Sequence, residues 1–252
     1  MSPPAGKDGR GLLRRLGAEG PARAGLLLVL IPILIAGLAD VIAPGDPSQL
    51  GGNELALRAP DRSHPLGTDP LGRDVLSRVI HGSRISLLVG LAAMIVAVLV
   101  GTLVGLVAGL GPGALDRLLM GLTDLFLAIP RIFVILLLVV LTTPSTALVV
   151  LVLGLTRWMQ IARLVRAEAL SLRERDHVAA ARGLGLAPWP LAWRHVLPHV
   201  LPTVVVAGAL LVGNTILTES FLSFLGLGIQ EPAISWGAMI EQGRDHLLDG
   251  WW

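Results

Sequence analysis

His195 and His199 stand four residues apart, a spacing at which two imidazoles on one helical face can share a divalent cation. Pro198 interrupts the pair and no third ligand lies nearby in the sequence, so no metal site is expected. The chain has no cysteine, which removes disulfides, thiolate metal sites and thiol catalysis and leaves the redox compartment open. It has no Gly-x-Ser-x-Gly turn and no Walker-type phosphate loop, so it is not expected to be an enzyme or to hydrolyse ATP itself. What remains are polar groups set inside apolar runs, chiefly Asp124, Arg131, Asn214 and Glu219, and one polar stretch, Asp176–Pro198. The first group can line a pathway or tie helices together. The second can dock another protein.

These residues sit in a chain of 252 residues that is 53% hydrophobic and 15% charged, with a mean hydropathy of +0.73. The apolar residues come in long runs, the pattern of an integral membrane protein. Net charge is only +2, so the basic pI reflects arginine and the lack of Tyr and Cys, and no nucleic-acid partner is expected. Five runs reach membrane length: Ala24–Ala43, Ile85–Leu110, about Leu118–Leu141, Ala147 to about Val165, and about Val200–Leu222. A helix of about 20 residues crosses the hydrocarbon layer of roughly 30 Å. A signal peptide is the competing reading of the first run, but the run is long and no convincing small-residue cleavage site follows it, so a retained span is preferred. The expected fold is all-α, a polytopic membrane helix bundle with five visible transmembrane helices.

The second run carries Gly101, Gly105 and Gly109 at four-residue spacing, which places them on one face and lets another helix of the bundle approach closely. The third holds Asp124, Pro130 and Arg131. An ionisable group at mid-membrane costs about 2.5–3.5 kcal/mol on insertion scales, so these groups should face protein, water or the membrane edge. Asp124 and Arg131 are two turns apart, too far for a direct pair. An interhelical tie with a snorkelling arginine is preferred to a polar pathway lining. The second half of the fourth run holds Arg157, Trp158, Gln160 and Arg163, as expected where a helix emerges at a charged interface. In the fifth, Asn214, Thr215, Thr218 and Glu219 cluster towards the far end.

Charge sets the orientation. Arg157, Arg163, Arg166, Arg173, Arg175, Arg182 and Arg194 outnumber Glu168, Glu174 and Asp176, whereas the segment from Glu219 onward is acidic apart from Arg244. The positive-inside rule then places the N-terminus and the fourth-to-fifth loop in the cytoplasm. Residues 1–23 read as a flexible cytoplasmic tail and residues 24–252 as the transmembrane domain. Within it lie an exterior loop over about 44–84, a cytoplasmic loop over about 166–198 and an exterior segment over about 223–252.

Within that cytoplasmic loop, Asp176 is expected to cap a short helix through Val178–Arg182. Ala179, Ala180 and Ala181 favour helix and leave a smooth face for a partner. Gly183 and Gly185 both suit the left-handed residue that ends such a helix. Pro188 and Pro190 fit the start of a second one over Leu191–Val196. The arginines around the loop also suit anchoring to anionic membrane lipid.

The stretch resembles the cytoplasmic signature of ATP-binding-cassette (ABC) importer permeases, EAA–x3–G–x9–I–x–L–P. Ala179-Ala180-Ala181 precede Gly185 at the required spacing, and Arg194-His195-Val196-Leu197-Pro198 closes the motif. His64–Ala93, Ala162–Gly185 and Glu219–Ile240 resemble the peptide/nickel permease group, closest to the second permease of dipeptide and oligopeptide importers. The likeness runs from residue 24 onward. It implies a homologous second permease subunit, two cytoplasmic ABC ATPases docked on the loops, and an extracytoplasmic substrate-binding protein. ATP and Mg are used by the partner subunits, with no cofactor on this chain. The resemblance assigns ATPase coupling to Ala179, Ala180, Ala181, Arg182, Gly185, Leu197 and Pro198, as contact or shaping positions. It implies import of di- or oligopeptides across the cytoplasmic membrane by alternating access, with nickel or another small solute as the alternative. An ATP-independent secondary transporter is the different-class reading, with Asp124 and Glu219 as its only relay candidates. The sequence departs from the pattern in two places. Ala179 stands where the motif has Glu, which Glu174 or Asp176 could replace. The family pattern also continues into a final span and a cytoplasmic tail beyond the position of Trp252, so the chain is expected to lack that span.

Overall fold

The computed structural model describes residues 20–142 and 145–252, so most of the expected tail over residues 1–23 lies outside the described part. Helices α1 (Gly20–Gly37) and α2 (Ala39–Ile42) cover the first apolar run. An irregular segment then leads into α3 (Val75–Leu110), α4 (Gly113–Ala128), α5 (Arg131–Val140), α6 (Thr146–Leu155) and α7 (Trp158–Arg173). After α8 (Asp176–Gly183) and α9 (Pro188–Leu191) a π-turn, Ala192–Val196, runs into α10 (Leu197–Phe224). Helix α11 (Trp236–Gly243) follows. No β-strand occurs among the described residues.

Among the described residues, three helical stretches are long and apolar enough to cross a membrane: Val75–Leu110, Thr146–Arg173 and Pro188–Phe224. A fourth crossing results if the bent pair α4 and α5 is one span, and Arg23–Gly37 is a shorter apolar helix. The chain is thus a polytopic helical membrane protein. Leu99 and Leu103 of α3 and Val205, Val206 and Leu210 of α10 are exposed, as suits faces turned to lipid.

Helix α3 is the axis, touching α1, α4, α6, α7, α10 and α11. It starts ten residues before the expected Ile85, because Asp74 caps it by accepting the Ser77 N–H at 2.7 Å. The expected exterior loop therefore ends in helix, and α3, at 36 residues, reaches roughly 54 Å, well beyond the hydrocarbon layer. Its three glycines meet α7. A Cβ on Gly101 would stand 2.6 Å from Ile161 Cβ, and on Gly109 2.7 Å from Ala169 Cβ. The small-residue stripe is thus a helix–helix seam.

The third run is not the continuous helix expected over Leu118–Leu141. It breaks at Ile129–Pro130 with a bend of 79°. Pro130 has no N–H for the ladder and drives the preceding residue out of the α region; Ile129 is extended at φ −86°, ψ 126°. The fourth run breaks too, at Thr156–Arg157, and then continues to Arg173, beyond the expected end near Val165. The helical stretch therefore runs on past Arg157 and Arg163.

Candidate coupling surface

Two buried apolar clusters hold the bundle, and one of them carries the loop. Val178 of α8 is fully buried among Val165 and Ala169 of α7, Leu191, and Val196, Leu197 and Val200 around the start of α10. One anchor thus pins α8 to the bundle. Ala181 is half-buried against the same cluster, while Ala179, Ala180 and Arg182 are exposed. Leu197 is a core residue at 9% exposure, so it shapes the surface without being available to touch a partner, and Pro198 beside it is exposed.

The local chemistry of α8 differs from expectation at both ends. Arg175 occupies the N-cap position with no side-chain cap bond. Asp176 is the first helical residue, where its charge complements the helix dipole without capping it. At the other end Gly183 is still helical, and Gly185, at φ +81°, is the left-handed residue. Leu186 N–H donates to Ala181 O at 3.2 Å and Gly185 N–H to Arg182 O at 2.9 Å, the paired bonds of a Schellman end. Leu186 and Ala181 both pack on the core cluster, as that motif requires. The following helix is also different. Pro188 opens α9, and the chain runs through the π-turn directly into α10, so the second element of the helix–turn–helix is the root of a membrane helix. The widened turn lies just before Pro198, whose missing N–H leaves the Arg194 carbonyl without its usual partner. His199 Nδ1 lies 2.9 Å from His195 O, and its ring stands 5.1 Å from that of His177.

The polar residues inside the bundle are mostly tied between helices. Asp124 pairs with Arg163 of α7, and not with Arg131. One turn further along α7, away from Arg157, Asp116 accepts from Arg166, whose Nη2 donates at 2.7 Å. Thr203 Oγ1 donates to Glu168 at 2.6 Å. Asn214 is exposed and bonds only its own helix, at Leu210 O, so it ties no helices. Glu219 is fully buried and accepts from Ser223 at 2.8 Å and Ser235 at 3.0 Å.

Sequence reasoning missed a cluster at the opposite end of the bundle. Arg73 Nε donates to Asp69 Oδ2 at 2.6 Å, its Nη1 to Glu231 at 2.8 Å and its Nη2 to Gln242 at 3.1 Å. Arg78 Nη2 donates to Gln242 at 2.9 Å. Burial opposes the charge on Arg73, but the hydrogen bonds to Glu231 and Asp69 outweigh it and hold its pKa above the usual arginine value. The bond from Arg73, working against burial, holds Glu231 below the usual carboxylate range. Asp69 and Arg73 at i, i+4 gave a local signal, but their link to residues more than 150 positions away did not show in the sequence.

Residues 101–244 match the family described as the inner membrane component of binding-protein-dependent transport systems. The chain belongs to that family. It is a permease of the multi-pass inner-membrane type. The matched region runs from the α3 glycine seam through the exposed loop to α11. The permease is also similar over longer stretches to individual proteins. One is the dipeptide transport system permease protein of Bacillus subtilis (strain 168), 36% identical over 95% of this chain and 75% of that protein. Another is the oligopeptide transport system permease protein of Escherichia coli (strain K12), 42% identical over 88% and 73%. A putative peptide transport system permease protein of Brucella suis is 36% identical over 95% and 80%.

Proposed function

We propose that this permease is a transmembrane subunit of an ABC importer for di- or oligopeptides, with α8 as the element through which a cytoplasmic ATPase moves the membrane helices. The supporting observation is mechanical. Helix α8 presents Ala179, Ala180 and Arg182 outward while Val178 locks it to the same core that holds α7 and the root of α10. A push on α8 is therefore a push on two membrane helices. The names of the peptide permeases support the cargo. The excess of arginine around α8 supports a cytoplasmic loop and N-terminus. Closure of two ATPases around ATP and Mg would then shift the permease pair between inward- and outward-open states, with a binding protein supplying peptide from outside.

Co-purification with the cognate ATPase tests this. Ala180 is exposed, so Ala180→Arg leaves the fold intact and blocks the docking face. The unmodified chain should retain the ATPase and the variant should lose it. Failure of the unmodified chain to retain any ATPase sinks the reading.

A further inference from the structure

Helices α5 (Arg131–Val140) and α6 (Thr146–Leu155) are ten residues each and packed against one another, with five residues, 141–145, between them in the sequence. Each meets a break at its far end, Ile129–Pro130 in one case and Thr156–Arg157 in the other. Counted along each helix, the two breaks lie at matched distances, ten residues or roughly 15 Å from the linker, a length about half the thickness of the hydrocarbon layer. A cavity of about 580 Å³ opens between them, lined by Arg131, Thr156, Arg157, Trp158 and Gln160 together with apolar side chains of α4 to α7. Among the described residues, no carboxylate lines it.

The charge pattern leading up to this cavity gives it meaning. Along the α4–α7 contact, Asp116 faces Arg166 and Asp124 faces Arg163, so each arginine has its acid. At the next level the pattern fails, for Arg131 and Arg157 line one space without an acid. Among the described residues Arg131 reaches only the Thr218 hydroxyl, at 3.3 Å, and neither arginine forms an ion pair. Two guanidinium groups at mid-membrane depth are costly to hold without a counter-charge. A lipid phosphate belongs at the faces of the bilayer, half a layer away. Irregular backbone at the middle of a membrane is tolerated where it lines a cavity or a cargo site.

We propose that Arg131 and Arg157 form a cargo site that receives the free carboxylate of a translocating peptide. Arginine suits this because its planar fork can give a carboxylate two parallel hydrogen bonds. Trp158 and the apolar wall offer surface to a peptide side chain, and the volume lies within the range of small-ligand sites. This rests on the peptide-import reading and deepens it.

The test uses the complete importer, with both permeases, both ATPases and the binding protein, in vesicles. Uptake of trialanine is compared with uptake of trialanine C-terminal amide. Delivery by the same binding protein cancels in each variant-to-wild-type ratio. Arg131→Gln and Arg157→Gln should slow the free acid about tenfold and leave the amide within about twofold, while Arg157→Lys restores much of the acid rate. Equilibrium dialysis of both peptides against the purified importer without its binding protein should show the same contrast. Equal slowing of acid and amide, or of neither, overturns the proposal. Wild-type importer that carries neither peptide overturns the peptide-import reading itself. A requirement for phosphatidylglycerol over phosphatidylcholine vesicles that disappears in both Gln variants would assign the arginines to lipid phosphate and also overturn the cargo site.

Discussion

Gly105 of α3 lies so close to Val165 of α7 that a Cβ added to it would stand 2.7 Å from Val165 Cβ and 2.6 Å from the Ala162 carbonyl oxygen. Neither neighbour is the loose end of a flexible chain, so backbone must move. Gly105→Ala gains about 0.5–1 kcal/mol of helix propensity but overpacks the seam at about 1–3 kcal/mol. It should lower the melting temperature of the purified permease. Gly121→Ala in α4, where an added Cβ meets nothing within 4 Å, should leave it unchanged or raise it. If both variants melt like the wild type, the seam is looser than its geometry states.

The seam also shows what was legible in the sequence. Three glycines at one spacing predicted close approach, because period and residue size are local facts. The break at Pro130 was half-legible: the proline was visible, but within a 24-residue apolar run it did not announce a 79° bend. The partner of Asp124 was hidden altogether, since Arg163 lies on another helix and nothing local selects it over Arg131. Gly185 and Gly183 were equal candidates by residue type. The deciding fact was which of them reaches Leu186, the residue that packs back on the core.

That choice makes a sharp pair of variants. Gly185 is held at φ +81° with nothing near its would-be Cβ, so Gly185→Ala carries conformational strain alone, about 1–2 kcal/mol. Gly183 is helical and equally open. Gly183→Ala should leave ATPase binding and peptide-stimulated ATP hydrolysis intact, whereas Gly185→Ala should weaken both, and Gly185→Asn should fall between. Equal effects at the two positions would remove the Schellman end from the coupling argument.

The Arg73 cluster predicts a pH response. Glu231 has its pKa depressed below that of the unfolded chain, so it adds stability above the ordinary carboxylate range and loses it as pH falls through its folded value. Asp61, held at about 2 by the Ser63 hydroxyl and the His64 backbone N–H, behaves the same way. Arg73 has its pKa raised, so its contribution persists through neutral pH and disappears only in strong alkali. Glu231 is 55% exposed, so Glu231→Gln should cost no more than about 1 kcal/mol at pH 7, a difference that shrinks by pH 3. Arg73→Ala takes the nearer of two guanidinium partners from the nearly buried Asp69, leaving Arg78 Nε at 3.6 Å, and should cost about 1–3 kcal/mol at pH 7. Melting curves at the two pH values decide it, and a Glu231→Gln deficit that grows on acidification contradicts the assignment.

Glu219 tests how the segment after α10 is fastened. Its Oε1 accepts the hydroxyls of Ser223 and Ser235, and Ser235 in turn caps α11 by accepting the Ala238 N–H at 3.1 Å. One buried oxygen therefore orients the cap of a helix 16 residues away. Gln keeps a carbonyl acceptor of the same reach, so Glu219→Gln should fold and retain α11 in place. Glu219→Ala leaves two buried hydroxyls without an acceptor, at about 1–3 kcal/mol, and frees Ser235 from its set orientation. Amide hydrogen exchange in Trp236–Gly243 should rise in the Ala variant and stay low in the Gln variant. Were Gln as disruptive as Ala, the charge on Glu219 and not its acceptor geometry would be the property that α11 depends on, and the secondary-transport relay assigned to this residue would have to be reopened.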